Sequence, residues 1–330
     1  MTQVAPRGAT FHAQWRCDAR RSALPSTGMA AQSRIHSTGR TAAKTVLSIG
    51  GTPAATVARY VGGEPYAVVV NEPGGLLPYA KKHIGALQFA DVAAEVAMDA
   101  DAALFDWIRD AWFGNPFRDN VSLERLDPSS SLQTVEIGHA AIREVTLPAL
   151  DQNARDRCAM SLKLVPSGIR RTGAVSAGLH REERDFLSHN FKVDIGGIDC
   201  SGVLAVDSFT IKTSLPEPGS RKRATLIFPD VRLYIDADRA DSFREWFEDF
   251  VIAGNNDDGR EREGFIEYQD PMLGDPLAVL HLRHIGIYRV ADEPSPRAGL
   301  RRVQVDLYCE RMELSSSGAS PATTGSLSVR

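Results

Sequence analysis

Residues 104–115 read LFDWIRDAWFGN and residues 243–255 read FREWFEDFVIAGN. In the second stretch Phe243, Trp246, Phe247, Phe250 and Val251 fall at i, i+3, i+4, i+7 and i+8, with Arg244, Glu245, Glu248 and Asp249 opposite. That spacing predicts an amphipathic helix with one buried stripe. In the first, Leu104, Trp107, Ile108, Ala111 and Trp112 form the same stripe, and Gly114 and Gly254 supply the helix ends. Asp241 and Ser242 are the expected N-caps of the second helix. Two tryptophan-centred helices in one chain raise the question of a repeat.

Sliding residues 86–112 over 225–251 at a constant shift of 139 matches Leu87 with Leu226, Phe89 with Phe228 and Asp91 with Asp230. The same shift pairs Val92 with Val231, Asp99 with Asp238, Trp107 with Trp246 and Asp110 with Asp249. Ordinary residue frequencies give about one or two such identities by accident. Upstream, SIGG (48–51) answers DIGG (194–197), and EPG recurs at 72–74 and 217–219. Downstream, LERLDP answers IEYQDP, HAAIREV answers HIGIYRV, and CAMSLKL answers VQVDLYC. One module has been duplicated.

Within each module the remaining signals have period two. Phe191, Val193 and Ile195 alternate, as do Val231, Leu233 and Ile235, and Val303, Val305, Leu307 and Cys309. The expected fold is mainly β (α+β): two tandem β-sandwich or barrel modules, each with one flanking amphipathic helix. The expected boundaries are an extension at 1–43, module one at 44–170, a linker at 171–190, module two at 191–314 and a tail at 315–330. Residues 1–43 are rich in Ser, Thr, Ala and Arg and nearly free of acids, so they are expected to be disordered, with Met29 as an alternative start. The low-complexity end is expected to be disordered as well.

Composition narrows the function classes. The 330 residues are 43% hydrophobic and 24% charged with a formal net charge of −4, which fits a globular protein and not a basic nucleic-acid binder. No run approaches the roughly 18 apolar residues of a membrane span. Cys17, Cys158, Cys200 and Cys309 show no C-x-x-C spacing and read as buried thiols of a reducing compartment. Neither a nucleophile elbow, a phosphate loop, a dinucleotide fingerprint nor an H-E-x-x-H motif is present, so neither an enzyme nor a cofactor is expected.

His281 and His284 form the most metal-like pair, but residues three apart on a strand point to opposite faces unless a bulge intervenes, so no metal is expected. His139 and His284 occupy equivalent repeat positions, which predicts a shared structural location. The acids of 255–264 lack calcium-loop spacing, because the closing position falls on Phe265. Those of DADRAD (236–241) complement a helix dipole.

The second copy resembles the phage tail-tube proteins, which form the inner tubes of contractile tails, phage-like injection systems and type VI secretion. The residues carrying the resemblance are NFKVDIGGIDCSG (190–202), EPGSRKRATLIF (217–228), the Phe243–Trp246 helix, REGFIEYQDP (262–271) and VQVDLYCERMEL (303–314). The first copy is more distant: its opening TVLSIGGTP lacks the aromatic residue.

The resemblance implies a structural protein of a phage tail or injection particle that forms or caps a hollow tube of stacked rings. Stacking would run through the loops at 71–86 and 214–224, including Glu72, Lys81, Lys82, Glu217, Arg221, Lys222 and Arg223. Leu104, Trp107, Ile108, Phe243, Trp246 and Phe247 would be helix core. A duplicated chain implies self-association of three copies into a pseudo-hexameric ring. The implied partners are sheath, baseplate or tape measure, with neither membrane nor sequence-specific nucleic acid. The implied location is cytoplasmic during assembly and then the tail. The alternative is a β-sandwich binding or adaptor module, of hub or tube-initiator type, that does not polymerise.

Overall fold

Alternating apolar residues make strands wherever one face can be covered, and this chain is dominated by them. The computed structural model describes residues 44–72, 79–126, 133–173, 186–215, 226–271, 276–293 and 301–316. All described residues belong to one compact unit, Ser37–Arg330. The extension at 1–43, most of the linker and the last residues lie outside them.

The first copy runs β1 (Lys44–Ile49), β2 (Thr52–Val61), β3 (Pro65–Glu72), β4 (Lys81–Phe89), β5 (Val92–Val96) and helix α1 (Ala102–Trp112). It continues with β6 (Phe117–Arg118), β7 (Val121–Leu126), β8 (Gln133–Gly138), β9 (Ala140–Leu147), β10 (Leu150–Asp151), β11 (Met160–Val165) and β12 (Gly168–Thr172). The second runs β13 (Phe191–Ile195), β14 (Val203–Val206), β15 (Phe209–Lys212), β16 (Val231–Asp236), α2 (Asp241–Phe247), β17 (Arg262–Gln269), β18 (Pro276–Glu293) and β19 (Arg302–Ser316). The fold is mainly β with two α-helices among the described residues. Neither helix is long and apolar enough to cross a membrane.

The pairing of strands repeats as the sequence does. After the helix, β7 lies antiparallel to β1, and β17 lies antiparallel to β13. Before the helix, β5 pairs β2 and β11, as β16 pairs β14 and β19. The long β18–β19 ribbon corresponds to two shorter pairs, β8 with β12 and β9 with β11, because the first copy breaks each strand at the corner. Strand order in the first sheet is β12-β8-β7-β1-β2-β5-β11-β9-β15, and in the second β10-β14-β16-β19-β18-β17-β13. The shared pattern carries the duplication from sequence into topology.

Both orders contain a strand from the other copy. β15 pairs with β9 through Phe209↔Leu147 and Lys212↔Glu144, extending the first sheet. β10 pairs with β14 in the second. The modules are therefore joined by exchanged strands rather than by a linker alone, and the expected boundaries need correction. β12 lies across the boundary at 170, β19 continues past 314, and Phe186 inside the expected linker is buried edge-on against Tyr268.

The helices fill the predicted core positions. Leu104, Trp107, Ile108, Ala111 and Trp112 are buried, together with Phe105, and Asp101 caps α1 through the amide of Ala103. In α2 Phe243 and Trp246 are buried and Phe247 is half-buried. Two expectations fail there. Ala240, not Asp241 or Ser242, is the N-cap, and the Ser242 hydroxyl sits instead against the backbone of Asp199. After Phe247 the helix widens to a π-turn over 248–252, closed by the Ala253 amide on the Glu248 carbonyl. That extra residue per turn carries Val251 out of the stripe, so it is 37% exposed.

Candidate functional site

The contact between the two copies has different surfaces on its two sides. From the first copy come the outer edge of β9 and the end of α1; from the second come β15, Phe228 and Arg311. Trp112 packs edge-on against Phe228 with ring centroids 5.8 Å apart, and the Arg311 guanidinium lies 4.8 Å from the Phe113 ring. A contact whose two sides are different surfaces is heterologous, and each side has a repeat equivalent elsewhere in the chain.

Several of those equivalents are exposed. At the shift of 139, Trp112 and Phe113 correspond to Val251 and Ile252; Ile252 is 65% exposed. At the downstream shift of 145, the β9 residues covered by β15 correspond to Arg289, Val290, Ala291 and Asp292 of β18. Among the described residues, β18 beyond Ile285 pairs only with β19, so this stretch is an open edge. An open edge beside exposed apolar side chains is a template for another chain.

The first copy also carries the β3–β4 hairpin, which follows β2 as β15 follows β14. It forms its own two-stranded sheet, and Tyr66, Val69, Val70, Ile84 and Leu87 on it are exposed, Ile84 to 79%. A lone two-stranded ribbon is marginally stable in water, and an exposed apolar patch of this kind marks an interaction surface.

The predicted stacking residues divide accordingly. Glu72 pairs with Lys81 across the hairpin, Lys82 pairs with Asn71, and His83 Nε2 lies 3.2 Å from the Glu72 carboxylate. Residues 71–72 and 81–86 are thus strand rather than the expected loop, because Val69 and Val70 pair with Ile84 and His83 in a ladder whose register slips at Val68. Glu217, Arg221, Lys222 and Arg223 lie outside the described residues.

The two helix tryptophans share a position but not a partner. Trp107 Nε1 donates to the Pro116 carbonyl at 2.9 Å, whereas the Trp246 ring lies under the Arg262 guanidinium at 5.0 Å. Both are packing residues.

The equivalent histidines do share a location. His139 (φ 42°) and His284 (φ 54°) both take the left-handed conformation at the corner where a strand turns, a geometry uncommon outside glycine. Each Nδ1 faces a carboxylate, Asp119 at 3.0 Å and Glu261 at 2.9 Å. His281 is elsewhere, within 3.5 Å of the Ser315 hydroxyl, and does not join His284.

Cys158, Cys200 and Cys309 carry free thiols, and burial pushes each pKa up to about 11, so they are poor nucleophiles. Asp257 and Asp258 lie on an exposed turn, with Asp257 capping a short 3-10 segment.

A groove of about 720 Å³ lies over β7, β8 and β12 and is lined by Ser122, Glu124, Thr134, Glu136 and Arg170. Glu124 Oε1 accepts from the Ser122 hydroxyl at 3.1 Å, while its buried Oε2 faces no donor among the described residues. Arg170 Nε donates to Glu136 Oε2 at 2.8 Å.

No family model matches this chain, and no curated protein matches it in sequence.

Proposed function

We propose that this chain is a structural subunit that assembles head to tail into closed rings, as the tube, cap or hub of a phage tail or phage-like injection particle. The observation that carries the reading is the heterologous contact between the copies. Its first-copy surface has an exposed equivalent at Val251, Ile252 and the β18 edge, and its second-copy surface has a positional equivalent at the β3–β4 hairpin. Repeating the same contact between chains joins them in one direction, and such a contact closes into a ring when its rotation allows.

The resemblance of the second copy to tail-tube proteins supports a six-module ring, which three duplicated chains would supply. Sheath, baseplate and tape-measure proteins are the partners that such a ring implies. Mass photometry of wild type and Ile252→Asp tests the reading: discrete oligomers in wild type and monomer in the variant are expected. A wild-type monomer that stays monomeric at high concentration would sink it.

A second reading, a binding or adaptor module that does not polymerise, is favoured by the groove over β7, β8 and β12 with the unpartnered Glu124 Oε2. A saturable ligand lost on Glu124→Gln, in a chain that remains monomeric, would select it.

A further inference from the structure

Glu310, on β19, is brought to the His284 corner by register. Arg283 pairs with Arg311 and Ile285 with Cys309, so the positions between them, His284 and Glu310, meet across the β18–β19 ribbon. Between Leu282↔Gly264 and Ile285↔Arg262 the β17–β18 ladder slips, which is the bulge that releases His284 from strand alternation. Glu261, immediately before β17, reaches the same point from a third segment. One ligand atom each from Glu261, His284 and Glu310 lies within 4.8 Å of the other two.

We propose that Glu261, His284 and Glu310 form a binding site for a divalent cation of the zinc class. Two carboxylates beside one imidazole repel each other unless positive charge sits between them, and a single Nδ1–H can satisfy only one. A dication held by one nitrogen and two carboxylate oxygens satisfies both, with a fourth position left for water.

Donors about 2.0–2.2 Å from a tetrahedral ion lie roughly 3.3–3.6 Å apart. The three ligand atoms lie within 4.8 Å of one another, so a closing of at most about 1.5 Å by the exposed Glu310 side chain brings them together. Glu261 is already held: its side chain is largely buried, and the Tyr308 hydroxyl donates to Oε1 at 2.8 Å, leaving Oε2 toward His284. This is the arrangement by which an outer hydrogen bond orients a metal ligand.

The first copy supplies the contrast. His139 has the same backbone and also an acid at Nδ1, the shorter Asp119, but the position equivalent to Glu310 is Val165, and its ring stacks on Phe117 at 4.6 Å. Two ligands do not make a site, so binding belongs to the second copy. There the ion would tie the start of β17 to β18 and β19, at the corner from which the open edge of β18 departs.

Isothermal titration of the full chain with Zn²⁺ tests this, independently of whether the chain assembles. Wild type and His139→Asn are expected to bind one ion per chain with the same affinity. Glu310→Gln and His284→Asn are expected to bind at least tenfold more weakly; asparagine tolerates the left-handed backbone, so the fold is kept. Zn²⁺ is also expected to raise the melting temperature of wild type but not of Glu310→Gln. The proposal is overturned if wild type shows no saturable binding, if Glu310→Gln titrates like wild type, or if His139→Asn is the variant that loses the ion.

Discussion

The tryptophans and histidines show what a single residue contributes. Trp246 is nearly fully buried beside Phe250, so Trp246→Ala is expected to cost about 3–5 kcal/mol, read as a lower urea midpoint. The equivalent Trp107→Ala is expected to cost as much and also removes the hydrogen bond its indole donates to the Pro116 carbonyl, which keeps the Ile142 amide. Burial, more than the neighbouring Arg283, holds the His281 pKa below its ordinary value, while Glu313 acts weakly the other way. The unfolded chain therefore takes up more protons between that lowered value and about 6.5, and stability falls as pH drops through this window. His281→Gln is expected to flatten that part of the profile; an unchanged slope between about pH 7.5 and about pH 5.5 would show that His281 contributes nothing to it. The core tryptophans were legible from helical spacing alone. The partner of each indole was not, because it comes from residues distant in sequence or from a turn whose geometry spacing does not specify.

At the level of elements, the β3–β4 hairpin carries the strongest expectation. Lys81 and Lys82 lie at its described end, and the ribbon is exposed on both faces. Trypsin is expected to cut there readily in a dispersed chain and slowly in an assembled one; equal rates in both would mean that the hairpin is not an interface. The strand that precedes it ends at a turn with no room for a side chain. Gly62 has φ +100°, and a Cβ there would lie 2.0 Å from the Asp91 carbonyl oxygen. Gly62→Ala is expected to lose about 1–3 kcal/mol from backbone strain alone, measured by denaturant unfolding. Element type was largely readable, since period two and period 3.6 separate cleanly in this chain. The π-turn after α2 was not, because it preserves the helical sequence pattern while rotating Val251 away from the stripe. The strand character of 71–72 and 81–86 is hidden from sequence because the hairpin's apolar residues face water and break the usual alternation.

For the whole molecule, the duplication was visible in the sequence, but the exchange of β10 and β15 between copies was not. Periodicity says that Phe209–Lys212 is a strand; it carries no information about which sheet receives it. On the proposed assembly, that exchange makes the molecule one repeat of a longer series of contacts, with one contact used between the copies and its equivalents at the β3–β4 hairpin and the β18 edge. Negative-stain electron microscopy at rising protein concentration tests this central claim most directly. Closed rings of six similar modules, built from three chains and absent in Ile252→Asp, are the predicted result. Particles that stay single at every concentration, with the variant indistinguishable from wild type, would contradict it.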